Sequence, residues 1–170
     1  MALPFRPAYN QGRFAPVTQH WPLKSGETCV TGSPMTRNAA EVDEIDTDDV
    51  TLVVGVAASA NQSAFGYDAG DQPASPVVTG RVDTIPVFVA NTTSVFQGQI
   101  SNDQTMVAPA SSDVGVSYGI RKQTDGTWTV DRNDTTNVVV KVIKVVTQGP
   151  ECADPYGLVW FKFLASTLLV

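Results

Sequence analysis

The chain has 170 residues and a mass of 18.1 kDa, with 17 acidic against 11 basic side chains, a net charge of −6 and an isoelectric point near 4.5. That length suits one domain with a core of its own, and the acidic balance argues against nucleic acid as the main partner, because phosphate binding draws on lysine and arginine releasing condensed counterions. Apolar runs fall short of the roughly 18 residues that span a bilayer and the start lacks the regions of a signal peptide, so the expectation is no membrane and no export by the general pathway.

Residues 1–26 hold four prolines, the single histidine (His20) and the cations Arg6, Arg13 and Lys24 without one carboxylate, which leaves −9 on the remainder of the chain. Proline spacing and charge contrast predict an extended N-terminal arm over 1–26, ahead of a β-rich body over 27–170. In the body, short valine-rich runs alternate with turn residues: "TCVT" (28–31), "VTLVVGVAAS" (50–59), "SPVVTGRV" (75–82), "IPVFVA" (85–90), "SVFQGQI" (94–100), "TMVA" (105–108), "VGVSYGI" (114–120) and "TWTV" (127–130). Period-two alternation in such runs marks strands. Asp125-Gly126 predicts a hairpin between the runs on either side.

"NVVVKVIKVV" (137–146) reads as the longest strand. Its Lys141 and Lys144 face opposite sides unless a bulge intervenes. The apolar end "GLVWFKFLASTLLV" reads as a core strand, and the Gly-, Ala- and Asp-rich stretch 60–75 as a long exposed loop. With no amphipathic helix in sight, the fold class expected is all-β, an antiparallel barrel or sandwich of about eight or more short strands.

The residues that bear chemistry are few. Six carboxylates fill positions 41–49, but no glycine or glutamate stands where a calcium loop needs it, so a solvated acidic turn is the expectation. Cys29 and Cys152 are too few for a disulfide framework or a four-ligand zinc site and read as reduced, partly buried thiols. His20 in the arm has no placed partner for nucleophilic catalysis, and no phosphate loop or dinucleotide fingerprint is present. Trp21, Trp128 and Trp160 raise the option of sugar stacking, although Trp128 and Trp160 fit packing roles better. No enzyme activity and no cofactor are expected.

Taken in order, "TGSPMTRN" (31–38), "LVVGVAAS" (52–59), "IPVFVANTTSVFQGQI" (85–100), "SSDVGVSYGI" (111–120) and "WTVDRNDTTNVVVKVIKV" (128–145) give the chain its likeness. The series resembles the decoration or cement proteins on the outside of tailed-bacteriophage capsids, and the opening "LPFRP" is similar to the way such proteins begin. The resemblance implies a non-enzymatic virion protein on the capsid exterior, assembled in the host cytoplasm, with the major capsid protein and its own copies, as a homotrimer, for partners. An arm ordered by a neighbour would then grip the shell or the adjacent subunit through Phe5, Arg6, Tyr9, Arg13, Phe14 and Trp21. The alternatives are another virion module (neck, tail or fibre) and a carbohydrate-binding β-domain.

Overall fold

Two sheets divide the chain at the turn Asn91–Ser94. The computed structural model describes residues 3–8, 17–24, 27, 29–38, 40–45, 52–58, 84–146 and 156–169. Before the turn, β2 (Thr18–Pro22), β3 (Pro34–Asn38), β4 (Glu41–Glu44), β5 (Gly55–Ala57) and β6 (Thr84–Val89) form a five-stranded sheet in the order β2-β6-β5-β3-β4. After it come β7 (Phe96–Gly98), β8 (Ile100–Asn102), β9 (Thr105–Val107), β10 (Ser117–Lys122), β11 (Trp128–Asp131), β12 (Val140–Val146) and β13 (Leu158–Phe163). Together with β1 (Arg6–Pro7), these make an eight-stranded sheet in the order β1-β7-β13-β12-β10-β11-β8-β9. The fold is all-β, as the composition predicts.

Turn chemistry sets the joints. Asn91 Oδ1 accepts from the amides of Thr93 (2.8 Å) and Ser94 (2.9 Å), satisfying backbone groups that leave β6 before the chain enters β7. Gly126 adopts φ +84° and the Gln123 amide donates to the Thr127 carbonyl at 2.7 Å, closing the expected β10–β11 hairpin.

Both sheets curl back toward closure. Gln99 joins β7 and β8 into one run whose first half pairs with β13 and whose second half pairs with β11, so the ladder returns to the strand it began on. The β11–β8 pairing is parallel, a departure from a purely antiparallel expectation. In the smaller sheet, Leu23 bridges Val42 and the Lys24 amide donates to the Val42 carbonyl at 2.9 Å, bringing the two edges together. Two apolar clusters form the core: Phe96, Ile100, Ile120, Trp128, Val142, Phe161 and Phe163 of the larger sheet, joined by Val53 and Val56 from the smaller sheet's half of the chain, and Met35, Val42, Ile85 and Val87 of the smaller sheet.

Where it is described, the segment expected as an extended arm ordered by a neighbour packs on its own chain. Leu3 donates its amide to Gln99 Oε1 at 2.6 Å, Arg6 and Pro7 pair with Gln97 and Phe96, and the Ala8 amide reaches the Val95 carbonyl at 3.0 Å. Phe5 is 1% exposed and meets the Phe161 ring edge-on at 4.9 Å between centroids. Gly32, at φ +90°, lets the Pro4–Phe5 backbone approach so closely that a Cβ there would lie 2.5 Å from the Phe5 nitrogen. The prolines read as breakers, but Pro7 lies in an edge strand, where a missing amide costs no ladder bond. Thr18–Pro22 is likewise the edge strand of the smaller sheet, paired with β6.

Other boundaries moved for local reasons. Cys29 and Val30 lead into the Thr31-Gly32 turn rather than forming a strand, and among the described residues of 50–59 the strand is Gly55–Ala57. Val53 is held instead by the C-terminal segment: its amide donates to the Thr167 carbonyl at 2.6 Å, and the Leu169 amide to the Val53 carbonyl at 3.1 Å. That segment stitches the two sheets together. The run 75–82, the loop expected over 60–75 and Cys152 lie outside the described residues.

A candidate contact face

Loss of hydration makes each buried carboxylate costly unless it is paired, and the structure pairs all four of those described as buried. Asp43 takes Lys24 Nζ at 2.5 Å, Glu44 takes Lys122 Nζ at 2.5 Å, Asp113 takes Arg132 at 2.6 Å and Asp131 takes Arg121 Nε at 2.5 Å. The expected solvated acidic turn is therefore corrected in its first half: Glu41–Glu44 is a strand, with Asp43 and Glu44 turned inward. Asp46, Asp48 and Asp49 lie outside the described residues. No group of three or more His, Cys, Asp or Glu is arranged to hold a metal among the described residues.

Asp113 anchors the loop before β10. Its carboxylate accepts from the Ala110 amide (2.7 Å), the Tyr118 hydroxyl (2.8 Å) and Arg132. Burial pushes this carboxyl up, but the bonds from Arg132, the Ala110 amide and Tyr118, with the charge of Arg132, outweigh it and hold the group below its ordinary value. Burial, then the bond to Asp113 and its negative charge, push the Tyr118 phenol up to about 12.

Both shifts predict a pH dependence. The Asp113 contribution is present above the unfolded carboxyl value of about 3.9 and is lost as pH falls through the lower folded value. The Tyr118 contribution is full below about 10 and is lost as pH rises toward about 12. Urea midpoints should therefore fall at both extremes. Asp113→Asn should flatten the acid limb and Tyr118→Phe the alkaline one, whereas simultaneous titration of all four tyrosines by phenolate absorbance would contradict the Tyr118 assignment.

These ties use polar groups to hold loops. An open hollow of about 430 Å³ is lined by Asp103, Arg121, Asn133, Asp134, Thr136 and Asn137. Its cation, Arg121, is committed to Asp131 and, at 3.3 Å, to Asp103. The hollow therefore has no free cation with which to attract an anion, and its Asp134 carboxylate accepts from the Thr136 and Asn137 amides.

The outer face of the larger sheet is different. Strand register places Lys141 opposite Lys162, Lys144 opposite Trp160, Trp160 opposite Gln97, and Gln97 opposite Arg6. Residues opposite one another in a ladder share a face. The side opposite the core of β12, β13, β7 and β1 thus carries Arg6, Lys141, Lys144 and Lys162. A register shift between Val142 and Lys144 is the bulge that turns Lys144 to the same side as Lys141, leaving both exposed. Lys144 Nζ stands 4.2 Å from the Trp160 ring centroid, a cation–π contact, and Ile143 beside it is 37% exposed. With its side-chain oxygen turned to it, Gln97 accepts from the Arg6 guanidinium, and Lys162 Nζ reaches the Thr92 carbonyl at 3.4 Å.

None of the ion pairs among the described residues involves these four cations. Against −6 for the whole chain, four positive charges on one face leave −10 on everything else. Like charges directly opposite each other, as Lys141 and Lys162 are, destabilise a ladder by a few tenths of a kcal/mol to about 1 kcal/mol.

Of the residues expected to make contacts, Arg6 lies on this face, exposed. Phe5 does not, being packed in the core of its own chain, and Trp21 is a half-buried strand residue of the other sheet with Arg37 4.9 Å over its ring. Tyr9, Arg13 and Phe14 lie outside the described residues. Sequence reading missed Lys141, Lys144, Lys162 and Trp160 as a group, and it read Trp160 as core where it is a half-buried outer residue. The two lysines in an apolar run were the visible signal. Comparison with protein-family models, with curated proteins and with solved structures finds no match for this chain.

Proposed function

We propose that the chain is a non-enzymatic structural protein of a virion that binds the outside of an icosahedral phage capsid and stabilises it. The observation that carries this reading is the gathering of ion-pair-free cations on one face of an otherwise acidic, all-β body. Such a body docks by that face, while its buried charges are spent on internal ties. The ordered motifs that resemble decoration proteins supply the partner. Copies of the chain seated side by side, as in a homotrimer, would multiply modest contacts with the major capsid protein.

Gold-labelled antibody on purified particles should decorate the whole head surface, and heads lacking the protein should break at lower temperature. Label confined to the neck, tail or fibres would move the assignment to another virion module. Absence from the particle would end the virion reading.

A further inference from the structure

The outer face of β12, β13, β7 and β1 combines four cations, an aromatic ring and an exposed isoleucine within one patch. We propose that this face binds a carboxylate-rich polypeptide surface. The identity of the ligand follows from charge and from geometry. Lys141 and Lys162 stand side by side with no anion between them, a repulsion that a bound carboxylate would turn into attraction. Lys144 and Arg6 stand at the two ends of the neighbouring row on the same face, with Trp160 and Gln97 between them. A partner bearing spaced carboxylates and some apolar surface can satisfy the cations while covering Ile143 and the Trp160 edge, the aromatic-and-arginine composition of an interface centre.

A nucleic acid fits less well. Its continuous phosphate line extends beyond the patch, where it meets a body carrying −10 once these four charges are set aside. The inference takes from the proposed function only that this face is a contact surface; it holds or fails for the chemistry of the face whether or not the partner is a capsid.

The test uses the full chain and two probes, poly-L-glutamate and a single-stranded oligonucleotide of equal charge, titrated at low and at physiological salt. Poly-L-glutamate should bind, at least tenfold more weakly at the higher salt, and more tightly than the oligonucleotide. Replacing Arg6, Lys141, Lys144 and Lys162 by glutamate should abolish binding, and replacing the three lysines by arginine should retain it. Lys162→Glu alone supplies a control that a purely structural role would not satisfy. By pairing with Lys141 it should raise the urea midpoint while weakening poly-L-glutamate binding severalfold.

Equal binding by wild type and the glutamate variant overturns the proposal, as does failure of wild type to bind poly-L-glutamate. Tighter binding of the oligonucleotide overturns it in favour of a nucleic-acid face. Head binding measured in parallel separates the two readings: a protein that takes poly-L-glutamate on this face but is absent from heads keeps the face and loses the capsid.

Discussion

Phe5→Ala should cost the protein about 3–5 kcal/mol, the usual range for emptying a buried phenylalanine site. The side chain is 1% exposed, and its ring lies against Phe161 and over Gly98, where a Cβ would run into it. Domains of this size hold about 5–15 kcal/mol in all, so the urea midpoint should drop steeply. Arg6→Ala, one residue on and facing solvent, should leave the midpoint within about 0.5 kcal/mol of wild type. The pair separates the two roles of the N-terminal segment. Removing residues 2–22 would therefore delete β1, β2 and a core residue together, so a loss of binding by that truncation would report on the fold. Wild-type stability in Phe5→Ala would show that the segment is not packed as described.

Glu44→Ala is the second large effect. Glu44 Oε1 accepts from Ser33 Oγ at 2.5 Å and from Trp128 Nε1 at 3.0 Å, while Oε2 holds Lys122 Nζ at 2.5 Å. Ser33 and Glu44 belong to the smaller sheet's half of the chain, Lys122 and Trp128 to the larger sheet, so one carboxylate ties the two. Truncation leaves a buried hydroxyl and a buried indole N–H without acceptors. Lys122, with a side chain 40% exposed, can turn to water. The expected loss is about 2–4 kcal/mol, below the full cost of stranding a buried charge. Glu44→Gln keeps an acceptor for Trp128 and should lose less. A double-mutant cycle of Glu44 with Lys122 should show coupling, and additive effects would contradict the tie.

What could be read in advance followed from local chemistry. Asp125-Gly126 specifies its hairpin because few residues other than glycine tolerate the required backbone angle, and the valine runs of 84–146 specify strands by their own side-chain shape. What stayed hidden depended on distant partners. Nothing near Glu44 announces Lys122, 78 positions away, so an acidic stretch that is half buried reads as a solvated turn. Phe5 sits among prolines that argue against regular structure, and its burial rests on distant partners: the close approach at Gly32 and Gly98 and the ring of Phe161. The contact face was visible in one strand as two lysines in an apolar run. Its completion by Lys162 and Arg6 depends on register across four strands, and the shared facing of Lys141 and Lys144 on a bulge that spacing alone does not locate.

An image of the intact particle detailed enough to orient the subunit tests most directly whether this body docks on a capsid by its cationic face. The chain is expected on the head exterior with Arg6, Lys141, Lys144 and Lys162 turned toward carboxylates of the shell. A head without the chain, or a chain bound with that face open to solvent, would contradict it.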